Sequence, residues 1–189
     1  MGDIARAIEM FDRSSRIAPT GLALSNLGTA YYRQGRFADA AAAFERAAGL
    51  DAREPLVHGN LGDAYIRLDR HADAAREFTT ARQLALDALR VNDKDFRTMS
   101  RVAKFEARLG LKAEAAAHAA QAVALVPRDP GVQYKQAVVA ALTGDRPLAF
   151  RALRQALTLG YKADDARNDY DLAAIKNAPE FTALLNTYR

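Results

Sequence analysis

Between residues 24 and 47 the apolar positions follow the period of an amphipathic α-helix twice in succession. They recur every three or four residues in two runs: Leu24, Leu27, Ala30 and Tyr31, then Ala40, Ala43, Phe44 and Ala47. A stripe with this spacing covers one face of a helix, so the segment predicts two helices with one buried face each. Gly35 stands between the runs, and a glycine can adopt the left-handed conformation that ends a helix. The segment therefore predicts a helical hairpin.

The same pattern returns 34 residues later. The stretch NLGTAY begins at Asn26 and the stretch NLGDAY begins at Asn60. A motif of apolar, small and aromatic residues suits packing better than catalysis, so the repetition is interpreted as architectural. We expect the small residues Gly28 and Ala40 to let two helices approach closely, while Phe44 fills the space beside them.

With Leu-Gly, Tyr, Gly, Ala, Phe, Ala and Pro at these offsets, the chain resembles the tetratricopeptide repeat family. The resemblance implies an all-α fold, a right-handed α-solenoid of helix-turn-helix hairpins with a C-terminal capping helix. It implies one domain, residues 1–189, divided into the second half of a truncated repeat at 1–20, repeats at 21–54, 55–95, 96–129 and 130–161, and a cap at 162–189.

The third repeat is the weakest match. It has Glu106 where the pattern has Tyr, and Ala119 where the pattern has Phe. Seven extra residues precede it, within the segment 84–95. Leu84, Ala85, Ala88 and Leu89 continue a helical period there, and residues 92–95 are interpreted as the turn and cap before the next helix. We therefore expect the second helix of the preceding repeat to project by two additional turns.

Both ends of the chain depart from the repeat. Ile4, Ile8 and Phe11 form the apolar face of a helix whose hairpin partner is missing, so we expect the N-terminal half-repeat to self-associate or to fray. The closing segment, residues 162–189, contains NDYDL and then Pro-Glu-Phe, and it resembles the segment that follows such arrays in some bacterial proteins. A solenoid must cover its last apolar face, so this resemblance implies a capping role.

Composition limits the chemistry that the chain can perform. Half of its 189 residues are apolar and none is Cys, which permits a large core and excludes disulfides, thiolate metal sites and a Cys nucleophile. His58, His71 and His118 lack metal-ligand spacing. Asp169 and Asp171 stand next to a helix start, where carboxylates cap exposed N–H groups. No nucleophile elbow or phosphate-binding loop occurs. We expect no enzyme activity, no cofactor and no metal.

The sequence also bears on location. No apolar run approaches the roughly 20 residues that a membrane span requires, and the first residues lack the pattern of a signal peptide. We expect a soluble protein without a membrane partner, and the cytoplasm is the favoured compartment. The net charge of +4 is modest, so total charge alone does not argue for nucleic acid.

The resemblance further implies which surface binds a partner. In the family, the first helices of successive hairpins line the concave face, and their residues that point away from the hairpin contact are the candidate binders. In the first two full repeats these candidates are Asn26, Thr29, Arg33, Asn60, Asp63 and Arg67. In the third repeat they form a basic stripe, which consists of Arg97, Arg101, Lys104 and Arg108. Their offsets of 0, 4, 7 and 11 keep all four on one helix face.

The basic stripe has two interpretations. Charged runs usually form a solvated face, yet like charges four apart destabilise a helix by roughly 0.2–0.5 kcal/mol per pair. Because this repulsion occurs on the groove side, where a ligand could offset it, the stripe favours an anionic ligand. Asn60, Arg97 and Arg101 match places where some arrays of the family grip a C-terminal carboxylate, whereas Ser25 and Thr29 stand where the rest of that clamp is expected. We therefore expect a broader acidic site.

We interpret the chain as a non-enzymatic module that binds a partner peptide or protein in the groove, through an acidic segment or a C-terminus of that partner. The alternative is that the array is the regulatory or scaffolding C-terminal part of a larger bacterial protein that carries an enzymatic or effector domain. Nucleic acid is disfavoured as a partner because no aromatic residue interleaves with the basic stripe to stack on bases.

Overall fold

The computed structural model describes residue 10 and residues 19–188. Within these residues every regular element is helical and no strand occurs, so the predicted all-α class is confirmed. Eight helices form four consecutive pairs: α1 Gly21–Arg33 and α2 Phe37–Leu50, α3 Pro55–Arg67 and α4 His71–Val91, α5 Phe96–Arg108 and α6 Lys112–Leu125, α7 Pro130–Thr143 and α8 Arg146–Thr158. The pairs fall within the four predicted repeats, whose boundaries stay a prediction.

The closing segment forms a set of shorter helices after the last pair. They are α9 Ala163–Asn168, a 3₁₀-helix Tyr170–Leu172, α10 Ala173–Lys176 and α11 Pro179–Thr187. At the other end, the structure describes Met10, whose side chain is 66% exposed, and no other residue before Pro19. The predicted self-association or fraying of the N-terminal half-repeat therefore lies outside the described residues.

A close approach of two helices holds the first hairpin together. A Cβ atom placed on Gly28 of α1 would lie 2.7 Å from Cε1 of Phe44 on α2, well inside van der Waals contact. Only glycine lets the buried Phe44 ring lie against the α1 backbone. In the second hairpin a Cβ on Gly62 would lie 2.7 Å from Cε1 of Phe78. The packing predicted from the repeated motif is confirmed in both copies.

Both hairpins turn through one residue in the left-handed backbone region. Gly35 has a φ of 75°, and Asp69 has a φ of 56° at the equivalent place. Glycine adopts this conformation without steric cost, whereas a residue with a Cβ is strained there, although aspartate tolerates it better than most. The turn predicted at Gly35 is confirmed.

The backbone contacts divide the chain into two compact units, Met1–Leu84 and Ala85–Arg189, which are called the N-terminal unit and the C-terminal unit below. The division falls inside α4. This helix has 21 residues, whereas α2 has 14. The helical extension predicted from the spacing of the repeats is therefore confirmed.

The added turns of α4 pack against neighbouring residues along one face. Ala85 has no exposed surface, and Leu89 packs against a buried cluster that includes Met99 and Ala122. At the end of the helix, by contrast, Val91 is 91% exposed. The extension stays packed because the apolar period of α4 continues through it, so Leu86 and Leu89 on one face of the added turns are half-buried.

The third hairpin packs through small side chains. Ala103, Ala107, Ala115 and Ala119 form a buried cluster between α5 and α6, together with Val139 of α7. This thin interior follows from the substitutions in the third repeat, where alanine stands at the position that phenylalanine occupies in the first two hairpins. Small residues let the two helices approach each other closely.

The closing segment completes the core of the C-terminal unit. Phe181, Leu184 and Leu185 of α11 are buried in one cluster with Leu153 and Leu157 of α8. They form the face that a repeat array must cover at its end. The capping role predicted for this segment is confirmed, and with it the assignment of the chain to the α-solenoid class.

Candidate functional site

In the N-terminal unit, three predicted binders come together on the first helices of the two hairpins. Thr29 of α1 and Asn60 and Asp63 of α3 line a small pocket of about 50 Å³, together with Tyr32 and Phe44. Thr29 is exposed and Asn60 is half-buried, whereas Asp63 is only 7% exposed. The lining of the pocket therefore includes an amide, a hydroxyl and a buried carboxylate.

The other three predicted binders of this unit stand apart from the pocket. Asn26, Arg33 and Arg67 are exposed. None of the three is among the described residues that line the pocket. The guanidinium of Arg67 lies 4.9 Å from the ring centre of Phe37, a cation–π distance. Arg67 is thus directed toward the start of α2.

In the C-terminal unit the whole basic stripe lies on α5. Asp95 caps this helix by accepting hydrogen bonds from the backbone N–H groups of Arg97 and Thr98, at 3.0 and 3.2 Å, and from the Thr98 hydroxyl at 2.7 Å. The hydrogen bond from the Thr98 hydroxyl makes the largest contribution to lowering the pKa of Asp95 below its usual value. Burial opposes this effect, and the two backbone hydrogen bonds lower the pKa further. Along the stripe, Arg97 is exposed and Arg101 is half-buried.

The second half of the basic stripe is engaged by the closing segment. Nζ of Lys104 lies 2.7 Å from Oδ2 of Asp171, and Nη2 of Arg108 donates to Oδ1 of the same carboxylate. Burial disfavours the charged form of Asp171, but the nearby ammonium and guanidinium outweigh burial and hold its pKa below the usual value. Asp171 therefore acts as a counterion for Lys104 and Arg108, a role that its predicted position at a helix start did not indicate.

A fifth cation adjoins the stripe from the next hairpin. Lys135 lies on α7 and is half-buried, and it borders the same interhelix space as Ser100 and Ala103 of α5. Burial lowers the pKa of Lys135, and the charges of Arg101, Lys104 and Arg97 lower it further, while Asp129 acts in the opposite direction. We call Arg97, Arg101 and Lys135 the cation cluster.

Sequence reasoning missed Lys135 although a signal was present. Lys135 follows Arg101 by one repeat length of 34 residues, and each stands two positions before a buried alanine, Ala103 or Ala137. Extending the register of the third repeat into the fourth would have placed Lys135 on the same face as Arg101.

A second contact fixes the closing segment beside this region. The Tyr134 hydroxyl donates to Oδ2 of Asp169 at 2.7 Å, and the Tyr134 ring stacks on Tyr161 with centroids 3.9 Å apart. Burial, and then the Asp169 charge, raise the pKa of Tyr134. Oδ1 of Asp169 also accepts the Asp171 backbone N–H at 2.8 Å, which is the capping role predicted for an aspartate here.

Two of the three histidines bridge helices of a hairpin. Nδ1 of His58 on α3 lies 2.7 Å from Oε2 of Glu77 on α4, and Nδ1 of His118 on α6 lies 2.7 Å from Oε2 of Glu106 on α5. His71 is exposed. Across the part of the chain that the structure describes, no group of three histidine or acidic side chains is arranged to hold a metal ion.

Comparison with known proteins agrees with this architecture. The model of the tetratricopeptide repeat family matches the sequence twice, over residues 1–55 and 25–88. Residues 1–88 of the chain match this family. Stacked tetratricopeptide repeats form interaction modules that bind partners through extended surfaces, so the coarse prediction of a protein-binding module is supported. The absence of enzyme activity stays a prediction.

Solved tetratricopeptide repeat structures share the fold. PilW, a widely conserved type IV pilus biogenesis factor, is 19% identical, with a TM-score of 0.59 over 97% of this chain and 83% of PilW. TTC0263, a thermophilic TPR protein of Thermus thermophilus, is 21% identical, with a TM-score of 0.59 over 99% of this chain and 89% of TTC0263. Identities this low show a common fold only. A search of curated proteins gave no match.

Among residues 19–188, no helix combines the length and the apolar character that crossing a membrane requires.

Proposed function

We propose that this tetratricopeptide repeat protein is a docking module that binds an acidic segment of a partner protein or peptide through the first helices of its hairpins. The observation that carries the proposal is the concentration of cations on α5 and α7, which contribute Arg97, Arg101, Lys104, Arg108 and Lys135. Asp171 pairs with Lys104 and Arg108. The positive charge of Arg97, Arg101 and Lys135 within this compact unit creates a potential that attracts carboxylates and orients them during encounter.

The cost of this arrangement supports a binding role over a solvated face. Like charges at successive turns of one helix destabilise it, and Lys135 adds a further cation that is half-buried rather than fully solvated. A merely solvated face would need no lysine at the interhelix boundary. A ligand carboxylate would offset this repulsion and would form charge-assisted hydrogen bonds with the guanidinium groups.

The polar pocket of the N-terminal unit supplies the second part of the proposal. The Asn60 amide can both donate to and accept from an extended peptide backbone, and it is uncharged. The Thr29 hydroxyl donates to the Ser25 carbonyl oxygen at 2.9 Å, so it serves a ligand as an acceptor. We assign this pocket to backbone or uncharged side-chain groups of the partner. The negative charge of Asp63 would repel an acidic side chain of the partner from this pocket.

The experiment is selection of ligands from a peptide display library, followed by affinity measurements on the best acidic peptide at about 50 mM and about 300 mM salt. We expect the Arg97→Ala/Arg101→Ala variant to bind about tenfold more weakly than the wild type at low salt. The salt dependence of the variant should also be shallower, since fewer ions pair on binding.

A matched control removes the same charge from another face. Arg151 and Arg154 are exposed on α8, a second helix of a hairpin, so Arg151→Ala/Arg154→Ala should bind like the wild type. Equal affinity and equal salt dependence of all three proteins would refute the acidic site. Tighter binding of an unrelated single-stranded oligonucleotide than of any selected peptide would identify nucleic acid as the partner instead.

A further inference from the structure

Two carboxylates at the starts of α5 and α7 act as helix caps. Asp95 accepts three hydrogen bonds at the start of α5. Asp129 accepts the Val132 backbone N–H at 2.8 Å at the start of α7. Both therefore serve as helix caps, which need their oxygens directed at backbone donors.

Lys135 has no ion-pair partner among the described residues. Of the carboxylates in residues 19–188, none lies within 4.0 Å of its ammonium group. Lys135 borders the same interhelix space as Ser100 and Ala103, so it faces α5, the helix that carries Arg97, Arg101 and Lys104. Asp129 at the start of α7 is the one carboxylate among the described residues whose charge favours the Lys135 ammonium. A half-buried ammonium in such surroundings is unfavourable unless an anion joins it, because burial removes water that would otherwise solvate the charge.

The chain itself shows what kind of group this surface accepts. Asp171 is an internal aspartate between Tyr170 and Leu172, and its side-chain carboxylate binds the other half of the basic stripe at Lys104 and Arg108. No chain terminus is involved in that contact. A carboxylate side chain within a continuous segment is thus sterically and electrostatically compatible with the face of α5.

We propose that Arg97, Arg101 and Lys135 form a site for an aspartate or glutamate side chain of the partner, while Lys104 and Arg108 serve to anchor the closing segment. This inference rests on the proposed function and makes it more specific. Two adjacent carboxylates then occupy the face of α5: Asp171, supplied by the chain, and a second one supplied by the ligand. The ligand's carboxylate bridges α5 and α7 by pairing with Arg101 from one helix and Lys135 from the next.

The test uses a hexa-aspartate peptide that is acetylated and amidated, so that every carboxylate belongs to a side chain. Its affinity is measured by fluorescence anisotropy for the wild type, Lys135→Gln and Lys135→Arg. We expect Lys135→Gln to weaken binding about tenfold and Lys135→Arg to stay within a few-fold of the wild type. Lys112→Gln, which removes an exposed lysine at the start of α6, is the control and should bind like the wild type.

A second readout separates direct pairing from a general loss of charge. In the wild type, the pKa of the Lys135 ammonium, followed by its Nζ chemical shift, should rise when the peptide binds. A hexaserine peptide with a free C-terminal carboxylate provides the other source of a carboxylate. If that peptide binds as tightly as capped hexa-aspartate, the assignment to side-chain carboxylates is wrong.

The two proposals fail in different ways. If the wild type binds hexa-aspartate, and Arg97→Ala/Arg101→Ala weakens binding while Lys135→Gln does not, the site at Lys135 is refuted and the acidic docking surface stands. If the wild type does not bind hexa-aspartate at low salt, both are refuted.

Discussion

Nδ1 of His118 lies 2.7 Å from Oε2 of Glu106, a side chain with no exposed surface. The first two hairpins have Tyr31 and Tyr65 at the position of Glu106. The third hairpin therefore replaces an aromatic side chain by a hydrogen-bonded pair that joins α5 to α6. A buried carboxyl group is compatible with folding only when its oxygens have partners.

His118→Leu should lower the free energy of unfolding by about 1–3 kcal/mol, because a fully buried carboxyl group loses one of its hydrogen bonds. The measurement is urea unfolding followed by circular dichroism. His71→Leu is the matched control, since His71 is exposed and its nearest carboxylate, Asp69, is 3.9 Å away. Equal midpoints for the two variants would show that the contact with Glu106 contributes nothing.

The contact between Gly28 and Phe44 predicts opposite effects for two glycine substitutions. Gly28→Ala should destabilise the protein by about 1–3 kcal/mol, because the new methyl group would overlap the buried Phe44 ring. Gly49 lies in α2 with no atom within 4 Å of its Cβ position. Gly49→Ala should stabilise the protein by about 0.5–1 kcal/mol through helix propensity. Thermal unfolding of both variants compares them directly, and destabilisation by both or by neither would contradict the packing described.

Tyr65 allows packing and hydrogen bonding to be separated. The side chain is 6% exposed, and its hydroxyl donates to Oε1 of Glu45 at 2.7 Å. Burial, followed by this contact, raises the pKa of Tyr65 to about 12. Tyr65→Ala should cost about 3–5 kcal/mol as a large-to-small change in the core. Tyr65→Phe keeps the ring and should cost about 0.5–1.5 kcal/mol. A loss below about 1 kcal/mol for Tyr65→Ala in urea unfolding would be incompatible with this position in the core.

The hairpins could be predicted because their determinants are local. Gly28 and Phe44 are 16 residues apart, and the period of apolar residues between them fixes which faces meet. The extension of α4 was predicted for the same reason. Its packing was not, because the spacing of the repeats gives the length of the helix but not the neighbour that covers Leu89.

The candidate site was only partly predictable. Helical periodicity places Arg97 and Arg101 on one face, and the repeat length relates Arg101 to Lys135. The pairing of Arg108 with Asp171, by contrast, joins residues 63 positions apart. No periodic rule connects them, since the closing segment does not follow the repeat. Capping was the local interpretation available for Asp171, and tertiary structure determined its partner instead.

The bond between His58 and Glu77 predicts a pH-dependent stability in the N-terminal unit. The hydrogen bond to Glu77 raises the pKa of His58 above 6.5 against the opposing effect of burial. A raised folded-state pKa means that His58 contributes stability below pH 6.5, and that this contribution is lost as the pH rises through the folded-state value. Between about pH 6 and about pH 8.5, the wild type should therefore lose more stability than His58→Gln. Parallel pH profiles of the urea midpoint for the two proteins would exclude a contribution from His58.

The anchoring of the closing segment by Asp171 leads to a prediction that combines stability with pH. Asp171→Asn should lower the free energy of unfolding by about 2–4 kcal/mol, because two cations lose the charge of a shared, largely buried counterion. Asp164→Asn is the control, since the Asp164 side chain is 90% exposed and lies 3.7 Å from Arg167; we expect a change within about 0.5 kcal/mol.

The pKa of Asp171 is lowered from 3.8, so its contribution is present above that pH and is lost as the pH falls through the lower folded-state value. The stabilities of the wild type and of Asp171→Asn should therefore differ at neutral pH and converge in acid. A difference between them that is independent of pH would show that Asp171 acts through its shape and hydrogen bonds and not through its charge.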